Sequence, residues 1–153
     1  FITIAITQIG LTGADYGIMV AFLISNMSLA GCDLGVLIRT KSRERRSMSL
    51  SAMLTALIPG IAEPSIFGIC FKERTPLIGN VLGCMIAGAL QGIITVRCYI
   101  FSFPSIPAIL MYYSADEPIN IGKAVLVGCV SFMASFLITA AIYRDREESV
   151  TAV

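Results

Sequence analysis

One carboxylate, Glu63, stands in an apolar stretch that also contains two prolines. Pro59 and Gly60 break any helix that reaches them, whereas Pro64 suits the first turn of a helix that begins there. Proline disfavours helical backbone at the preceding residue, so we expect Glu63 to be non-helical, at or near the N-cap of the second helix. Free backbone N–H groups and the positive helix end favour an ionised carboxylate at that position. The stretch therefore predicts two short helices that meet at a non-helical tip.

A carboxylate held at such a tip can accept hydrogen bonds from the hydroxyl groups of a ligand. A hydrogen bond to a charged acceptor contributes roughly 1.5 to 3 kcal/mol, which is more than a neutral one. In a site shielded from water, a ligand without the hydroxyl would leave the charge unpaired. Glu63 would then select a ligand as well as bind it. On these residues alone, the alternative that Glu63 only caps the following helix at an exposed loop is equally well supported.

The composition is that of a membrane protein. The residues are 56% hydrophobic and only 14% charged, whereas soluble proteins carry roughly 25% charged residues. There is no histidine and the five cysteines are single, so a His-based catalytic triad and a histidine zinc site are excluded. We expect the cysteines to be small packing residues. Neither a Walker A loop nor a G-x-G-x-x-G motif is present, and we expect no cofactor, no metal and no nucleic acid.

Long apolar runs predict an all-α membrane protein with several spanning helices, because a spanning helix needs roughly 20 apolar residues. The predicted elements are a partial helix at 1–11, membrane helices at 16–38, 77–96 and 121–143, and an outer loop with a short helix at 99–120. Phe1 stands within an apolar run, and we expect the chain to be a fragment of a longer protein. Asn26 and Asp33 fall within the first span, where polar residues usually face a bundle interior or a watery cavity.

Two basic segments give the predicted orientation. Arg39 to Arg46 reads R-T-K-S-R-E-R-R, which the positive-inside rule places in the cytoplasm, and Lys72 to Arg74 is also basic on balance. The interval 48–71 is too short to cross a bilayer twice, so we predict a re-entrant hairpin with its tip at 59–64. Irregular backbone at membrane depth needs protein or a water-filled cavity around it, which is the setting of a transport site. Residues 144–153 are predicted to be a cytoplasmic tail.

The run 77–96 contains two G-x-x-x-G spacings. The first is formed by Gly79 and Gly83 and the second by Gly88 and Gly92. Glycines at this spacing let another helix approach closely in a membrane. We expect all four in helix packing rather than in contact with a ligand.

The hairpin and the span before it resemble a known family. Residues 60–68 read G-I-A-E-P-S-I-F-G and resemble the G-I-T-E-P-A-I-Y-G signature of enzyme IIC, the sugar-transporting membrane subunit of the bacterial phosphoenolpyruvate-dependent phosphotransferase system (PTS). The resemblance is to its glucose and β-glucoside branch, which includes sucrose and trehalose permeases. Residues 25–36 read S-N-M-S-L-A-G-C-D-L-G-V, similar to the family's A-N-I-A-Q-A-G-A-x-L-A-V. Pro76 also falls at the family's distance from Gly68.

The resemblance implies that the chain is the C-terminal part of the IIC transport domain, in the bacterial inner membrane among anionic lipids. Such a subunit presents the 6-hydroxyl of a bound sugar to a cytoplasmic IIB domain, which IIA recharges, and it is a homodimer through its N-terminal half. The sugar-binding residues that it implies are Glu63, Ala62, Pro64, Gly60 and Asn26. The phosphorylated His of IIA and Cys of IIB have no counterpart here, so the chain would position the sugar and not carry the phosphoryl group.

Several alternatives stay open. Ala62 replaces the family's Thr, Leu29 its Gln, and Asp33 a small residue, which leaves the sugar undetermined. For Asn26, an interhelical hydrogen bond, worth roughly 0.6 to 2 kcal/mol in membranes, and a sugar contact are equally well supported. Asp33 could pair with a basic residue elsewhere in the protein. Topology and anionic lipid head groups account for most of the Arg39 to Arg46 cluster, and docking of a IIB domain is a further alternative for it. An ion-coupled transporter with broken helices and a non-transporting fragment are the competing functions.

Overall fold

The computed structural model describes residues 2–103 and 105–143, so the predicted tail at 144–153 lies outside the described residues. The helices are α1 (Ile2–Thr12), α2 (Ile18–Arg39), α3 (Arg43–Leu57), α4 (Glu63–Ser65), α5 (Arg74–Ile94) and α6 (Ile119–Ile142), with a π-helical turn at Ile66–Cys70 after α4 and a 3-10 helix at Pro107–Tyr112. In these two ranges the only β-type pairing is an isolated bridge between Asp15 and Cys98. Three helices, α2, α5 and α6, are long and apolar enough to cross a membrane. The predicted all-α polytopic membrane protein is therefore confirmed.

The three long helices pack as a bundle in which α2 and α6 run parallel. Ser131 of α6 donates to the Ile24 carbonyl at 2.7 Å, and further along both helices the Thr139 hydroxyl donates to Cys32 Sγ at 3.3 Å. The next helix, α5, runs the other way, because its Gly79 faces Thr139 while Gly83 faces Ser135. The end of α2, the start of α5 and the end of α6 therefore lie together, at what we call the basic end of the bundle.

Glycines set the distance between these helices. An added Cβ at Gly83 would lie 2.9 Å from Cβ of Ser135 and closer still to its Oγ, and one at Gly79 would clash with the Thr139 hydroxyl. At Gly88 and Gly92 an added Cβ would meet no atom of the described chain within 4 Å. Close packing at this second pair of glycines stays a prediction.

The loop end of the bundle, opposite the basic end, is closed by the segment between α5 and α6. Arg97 forms an ion pair with Glu117 at 2.9 Å, and the Asn120 amide donates to the carbonyls of Arg97 and Tyr112, each at 2.7 Å. Burial raises the pKa of the Cys98 thiol to about 11, which suits a packing residue. The predicted outer loop is thus an ordered cover over one end of the bundle.

The chain from α3 to the π-helical turn folds back on itself as a helical hairpin. Its first arm begins at Arg43, ahead of the predicted start at 48, and its two ends meet where Arg45 Nη1 lies 3.0 Å from Glu73 Oε1. Gly60 turns the chain at φ +77°, a conformation that favours glycine. The far side of the turn is fixed to the loop end, because the Ile106 N–H donates to the Leu57 carbonyl at 2.9 Å. Insertion of this hairpin into the membrane stays a prediction.

Two expectations about proline are corrected. Glu63 is the first helical residue of α4 and Ala62 is the N-cap, so the expectation that Pro64 keeps Glu63 out of the helix is wrong. The Ile66 N–H donates to the Ala62 carbonyl at 3.0 Å, which closes the first turn around a proline that needs no N–H partner there. For the same reason α5 begins at Arg74 and includes Pro76 in its first turn, rather than beginning at 77.

Candidate functional site

The hairpin tip, α2, the segment before the 3-10 helix and Ile2 of α1 line an open cavity of about 600 Å³, which we call the tip cavity. All five residues that the resemblance assigned to the sugar line it, namely Gly60, Ala62, Glu63, Pro64 and Asn26. Four of them come from the tip itself, where the chain leaves α3, turns at Gly60 and starts α4. Asn26 comes from the middle of α2. The fold therefore brings the two matched sequence blocks to one place.

Asn26 both lines the cavity and ties the hairpin to α2. The residue is only 3% exposed, and its Nδ2 donates to the Ala56 carbonyl in the last turn of α3 at 3.3 Å. The interhelical bond that the sequence left open is thus present in the structure. Since Asn26 also lines the cavity, this bond fixes the amide beside the tip and does not exclude a contact with a ligand.

Glu63 supplies the charge of the tip cavity. Its side chain is exposed, and no described residue forms an ion pair or a hydrogen bond with its carboxylate. Its place in the first turn of α4 puts it beside backbone N–H groups that have no helical partner. Both carboxylate oxygens are therefore available to accept hydrogen bonds from a ligand in the cavity.

Three aromatic side chains also line the tip cavity, and the sequence analysis did not predict them. Phe22 comes from α2, while Phe101 and Phe103 come from the segment after α5, with their ring centroids 6.4 Å apart. Apolar walls with a few placed polar groups are typical of sites for small molecules. The signal was weak, because Phe101 and Phe103 lie in an irregular segment and nothing in its spacing connects them with Glu63.

A buried carboxylate lies directly beneath the tip. Ser65 Oγ donates to Asp33 Oδ2 at 2.5 Å, and both residues are 0% exposed. Asp33 belongs to α2 and Ser65 follows the Glu63-Pro64 pair, so this bond holds the start of α4 against the bundle. From the sequence, an ion pair between Asp33 and a basic residue elsewhere in the protein was one alternative. In the structure the Ser65 hydroxyl of the hairpin is its hydrogen-bond partner.

The chemistry available in the tip cavity is that of binding. It offers one carboxylate, the Asn26 amide, the hydroxyls of Ser25 and Ser102 and three aromatic rings. The described lining contains no nucleophile paired with a base. Among the described residues no group of three or more His, Cys, Asp or Glu could hold a metal ion. A ligand with several hydroxyl groups and an apolar face fits this set of partners.

Comparison with known proteins gives relatives of one kind. The PTS system arbutin-, cellobiose-, and salicin-specific EIIBC component of Escherichia coli (strain K12) is 28% identical over 134 residues, which cover 88% of this chain and 28% of the relative. The PTS system beta-glucoside-specific EIIBCA component of Bacillus subtilis (strain 168) is 32% identical over 114 residues, which cover 72% of this chain and 18% of the relative. The PTS system trehalose-specific EIIBC component of Escherichia coli (strain K12) is 25% identical over 123 residues, which cover 80% of this chain and 25% of the relative.

The chain thus spans less than a third of the length of these curated relatives. No family model matches it, and no solved structure gives a significant match. The relatives agree with one another in system and in component type, and they agree with the resemblance carried by residues 25–36 and 60–68. The chain therefore belongs to the family of sugar-specific EIIBC and EIIBCA components of the phosphotransferase system.

Proposed function

We propose that this chain is the sugar-binding part of the membrane-embedded IIC portion of a PTS permease. The observation that carries the proposal is the tip cavity, in which two separated sequence blocks meet around one exposed carboxylate. A glucoside-type sugar would donate hydroxyl hydrogen bonds to Glu63 and Asn26. Its apolar face would lie against Phe22, Phe101 and Phe103.

The phosphoryl group would come from outside this chain. A cytoplasmic IIB domain, recharged in turn by IIA, would phosphorylate the sugar's 6-hydroxyl, since the chain has no histidine and no IIB-type cysteine motif to carry a phosphoryl group. The role of this chain is then to hold and orient the sugar, which converts the transfer into an effectively unimolecular step. We also propose that the complete subunit pairs with a second copy through its N-terminal half.

The proposed placement is a multi-pass protein of the bacterial inner membrane with the basic end in the cytoplasm. The parallel course of α2 and α6 and the reversed course of α5 support it, since Arg39 and Arg74 then lie on one side. Single cysteines introduced at Ser42 and Thr75 of a cysteine-free variant should be blocked by a membrane-impermeant reagent from the same face. Labelling from opposite faces would show that α3 and α4 together span the membrane.

Sugar binding by Glu63 is tested with Glu63→Gln in the full-length protein. The amide keeps the size of the side chain but loses the charge, and its NH₂ cannot accept from a hydroxyl. We expect normal insertion and a loss of roughly 2 to 4 kcal/mol in binding, or about 30- to 1000-fold in affinity. The measurement is calorimetric titration with arbutin, cellobiose and trehalose, the compounds that appear in the names of the relatives.

Glu117→Gln is the matched control for this experiment, because Glu117 is a carboxylate at the loop end that does not line the tip cavity. It should leave the affinity for sugar unchanged. If Glu63 only caps α4, Glu63→Gln lowers the melting temperature and leaves the affinity near that of the wild type. That result would remove Glu63 from the site.

Vesicle uptake separates the competing functions. Uptake that depends on phosphoenolpyruvate supports the PTS permease, whereas uptake that collapses with an ionophore would identify an ion-coupled transporter. Membership of the PTS family does not favour the second outcome. Absence of uptake by the full-length protein, with sugar binding also absent, would leave a non-transporting remnant.

A further inference from the structure

A second cavity, of about 410 Å³, lies at the basic end and shares no residue with the tip cavity. We call it the base cavity. Its polar lining consists of Ser42, Glu44, Arg45 and Ser49 on one side and Lys72 and Glu73 on the other. The first group belongs to the start of the hairpin and the second to its end. The two cavities therefore lie at opposite ends of the same hairpin.

The charge around the base cavity favours an anion. The lining itself carries two cationic side chains and two carboxylates, so the excess of positive charge comes from its flanks. Residues 39–46 and 72–74 together carry seven cationic side chains and two carboxylates, and such an excess raises the local concentration of anions. One of the carboxylates, Glu73, is already in an ion pair with Arg45 at 3.0 Å. The other, Glu44, is exposed at the rim. The first turn of α3 also lines the cavity, and its backbone N–H groups have no helical partner.

A buried hydroxyl in the base cavity gives an independent indication of a ligand. Ser49 is 1% exposed, and its Oγ has no hydrogen-bond partner within the described part of the chain. Buried polar atoms almost always have a partner in the protein, in water or in a ligand. Ser49 therefore offers a donor to a group that enters the cavity beside Lys72.

We propose that the base cavity binds the phosphate group of a phosphate monoester, and that its ligand is a hexose 6-phosphate. Lys72, the α3 first turn and the Ser49 hydroxyl supply donors to the phosphate oxygens. The Arg45–Glu73 pair stays in place and offers both a donor and an acceptor to the sugar hydroxyls. The identification of the ligand as the transport product rests on the proposed function; the binding of phosphate does not.

The inference is tested on the purified full-length protein in nanodiscs of phosphatidylcholine, titrated with glucose 6-phosphate and with inorganic phosphate. Lys72→Gln should weaken binding of both by about tenfold, since one charge-assisted hydrogen bond is lost. Ser49→Ala should weaken it less, and Glu44→Gln should strengthen it because a repelling carboxylate is removed. Arg97→Gln, which breaks the corresponding ion pair at the loop end, is the control and should change nothing.

The opposite responses of Lys72→Gln and Glu44→Gln make the test independent of folding, because general damage would weaken binding in both. Equal binding of glucose 6-phosphate by wild type, Lys72→Gln and Glu44→Gln would overturn the proposal. So would a failure to bind glucose 6-phosphate combined with Lys72-dependent retention of phosphatidylglycerol from mixed lipids. That outcome would assign the cavity to a lipid head group.

Glu63→Gln separates this inference from the proposed function. It should weaken binding of the unphosphorylated sugar by about 30- to 1000-fold and leave binding of glucose 6-phosphate at the base cavity intact. Sugar binding without glucose 6-phosphate binding would overturn the inference and leave the proposed function standing. Glucose 6-phosphate binding without sugar binding would overturn the proposed function while the phosphate site remains.

Discussion

The bundle and the hairpin are held together by different kinds of contact. In the bundle, α2 and α5 pack onto α6 through glycines and buried hydroxyls, as where Ser28 Oγ lies 2.6 Å from Ser135 Oγ. The hairpin is tied to its surroundings by a few separate polar bonds, chiefly Asn26 to Ala56 and Asp33 to Ser65. One apolar cluster also joins it to the bundle, where Ala52 and Ile69 of the hairpin pack with Val36 and Tyr143. Other apolar side chains of the hairpin stay uncovered by the described chain, since Phe67 and Phe71 are each 63% exposed.

This difference separates a scaffold from a functional element. Backbones packed at glycine contacts cannot move apart without losing many contacts at once, so the bundle supplies a fixed reference. The hairpin lacks such glycine contacts, and a few polar bonds and one small apolar cluster hold it, so we expect it to be the part that is more easily repositioned. Both cavities are lined by hairpin residues. A transport site must open to one side of the membrane and then to the other, and movement of the hairpin relative to the bundle would change the access to both cavities.

The largest effect is expected at the glycine contacts of the bundle. Gly83→Leu should lower stability by about 3 kcal/mol or more or prevent folding, because the new side chain would overlap Ser135 of α6. Gly88→Leu is the matched control on the same helix, where an added Cβ meets nothing within 4 Å. Yield of folded protein and melting temperature in detergent measure both.

Equal damage from Gly83→Leu and Gly88→Leu would mean that another helix covers Gly88 in the full-length protein. The face of α5 that carries Gly88 would then be a second packing surface of the scaffold. Normal yield of Gly83→Leu with altered sugar preference would instead move Gly83 from helix packing into the site.

The sequence predicted the parts of this molecule that follow from local chemistry. Pro59 and Gly60 end a helix and Pro64 suits the first turn of the next one, so the hairpin tip could be placed from the residues alone. Length and apolarity gave the three long helices. The family blocks gave Glu63 and Asn26 as partners in one site, which no periodicity in this chain could have shown.

The parts that the sequence missed depend on contacts between distant residues. Two identical G-x-x-x-G spacings differ only in that α6 lies against Gly79 and Gly83. Asp33 had no local partner to suggest Ser65, because the bond forms only when the hairpin folds against α2. Phe101 was missed for the same reason, since its segment has no regular pattern.

A smaller effect is expected at the bond between bundle and hairpin. Ser65→Ala should lower stability by roughly 1.5 to 3 kcal/mol, because it leaves the buried Asp33 carboxylate without its partner. It should also weaken sugar binding, since Ser65 fixes the start of α4 beside Glu63. Adding Asp33→Ala to Ser65→Ala should recover much of the stability, as the unpaired carboxyl group is then gone.

Ser28→Ala is the control for this double-mutant cycle, because Ser28 is buried in the bundle and bonded to Ser135. It should lower the melting temperature without changing the affinity for sugar. If Ser65→Ala behaves in the same way, Asp33 and Ser65 contribute to stability only, and the hairpin belongs to the scaffold. Melting temperature and calorimetric titration on the same samples distinguish the two cases.

The smallest effect is expected at the Arg45–Glu73 pair, which joins the two ends of the hairpin. The side chains are 31% and 16% exposed, and partly exposed ion pairs contribute about 1 kcal/mol or less, screened by salt. Arg45→Gln should therefore cost little stability, and less at high salt than at low salt. Arg97→Gln breaks the Arg97–Glu117 pair at the loop end, whose side chains are 39% and 40% exposed. It should cause a similarly small loss of stability with the same dependence on salt. A loss several times larger for Arg45→Gln, insensitive to salt, would show that the base of the hairpin is fixed as firmly as the bundle, and that only its tip differs from the scaffold.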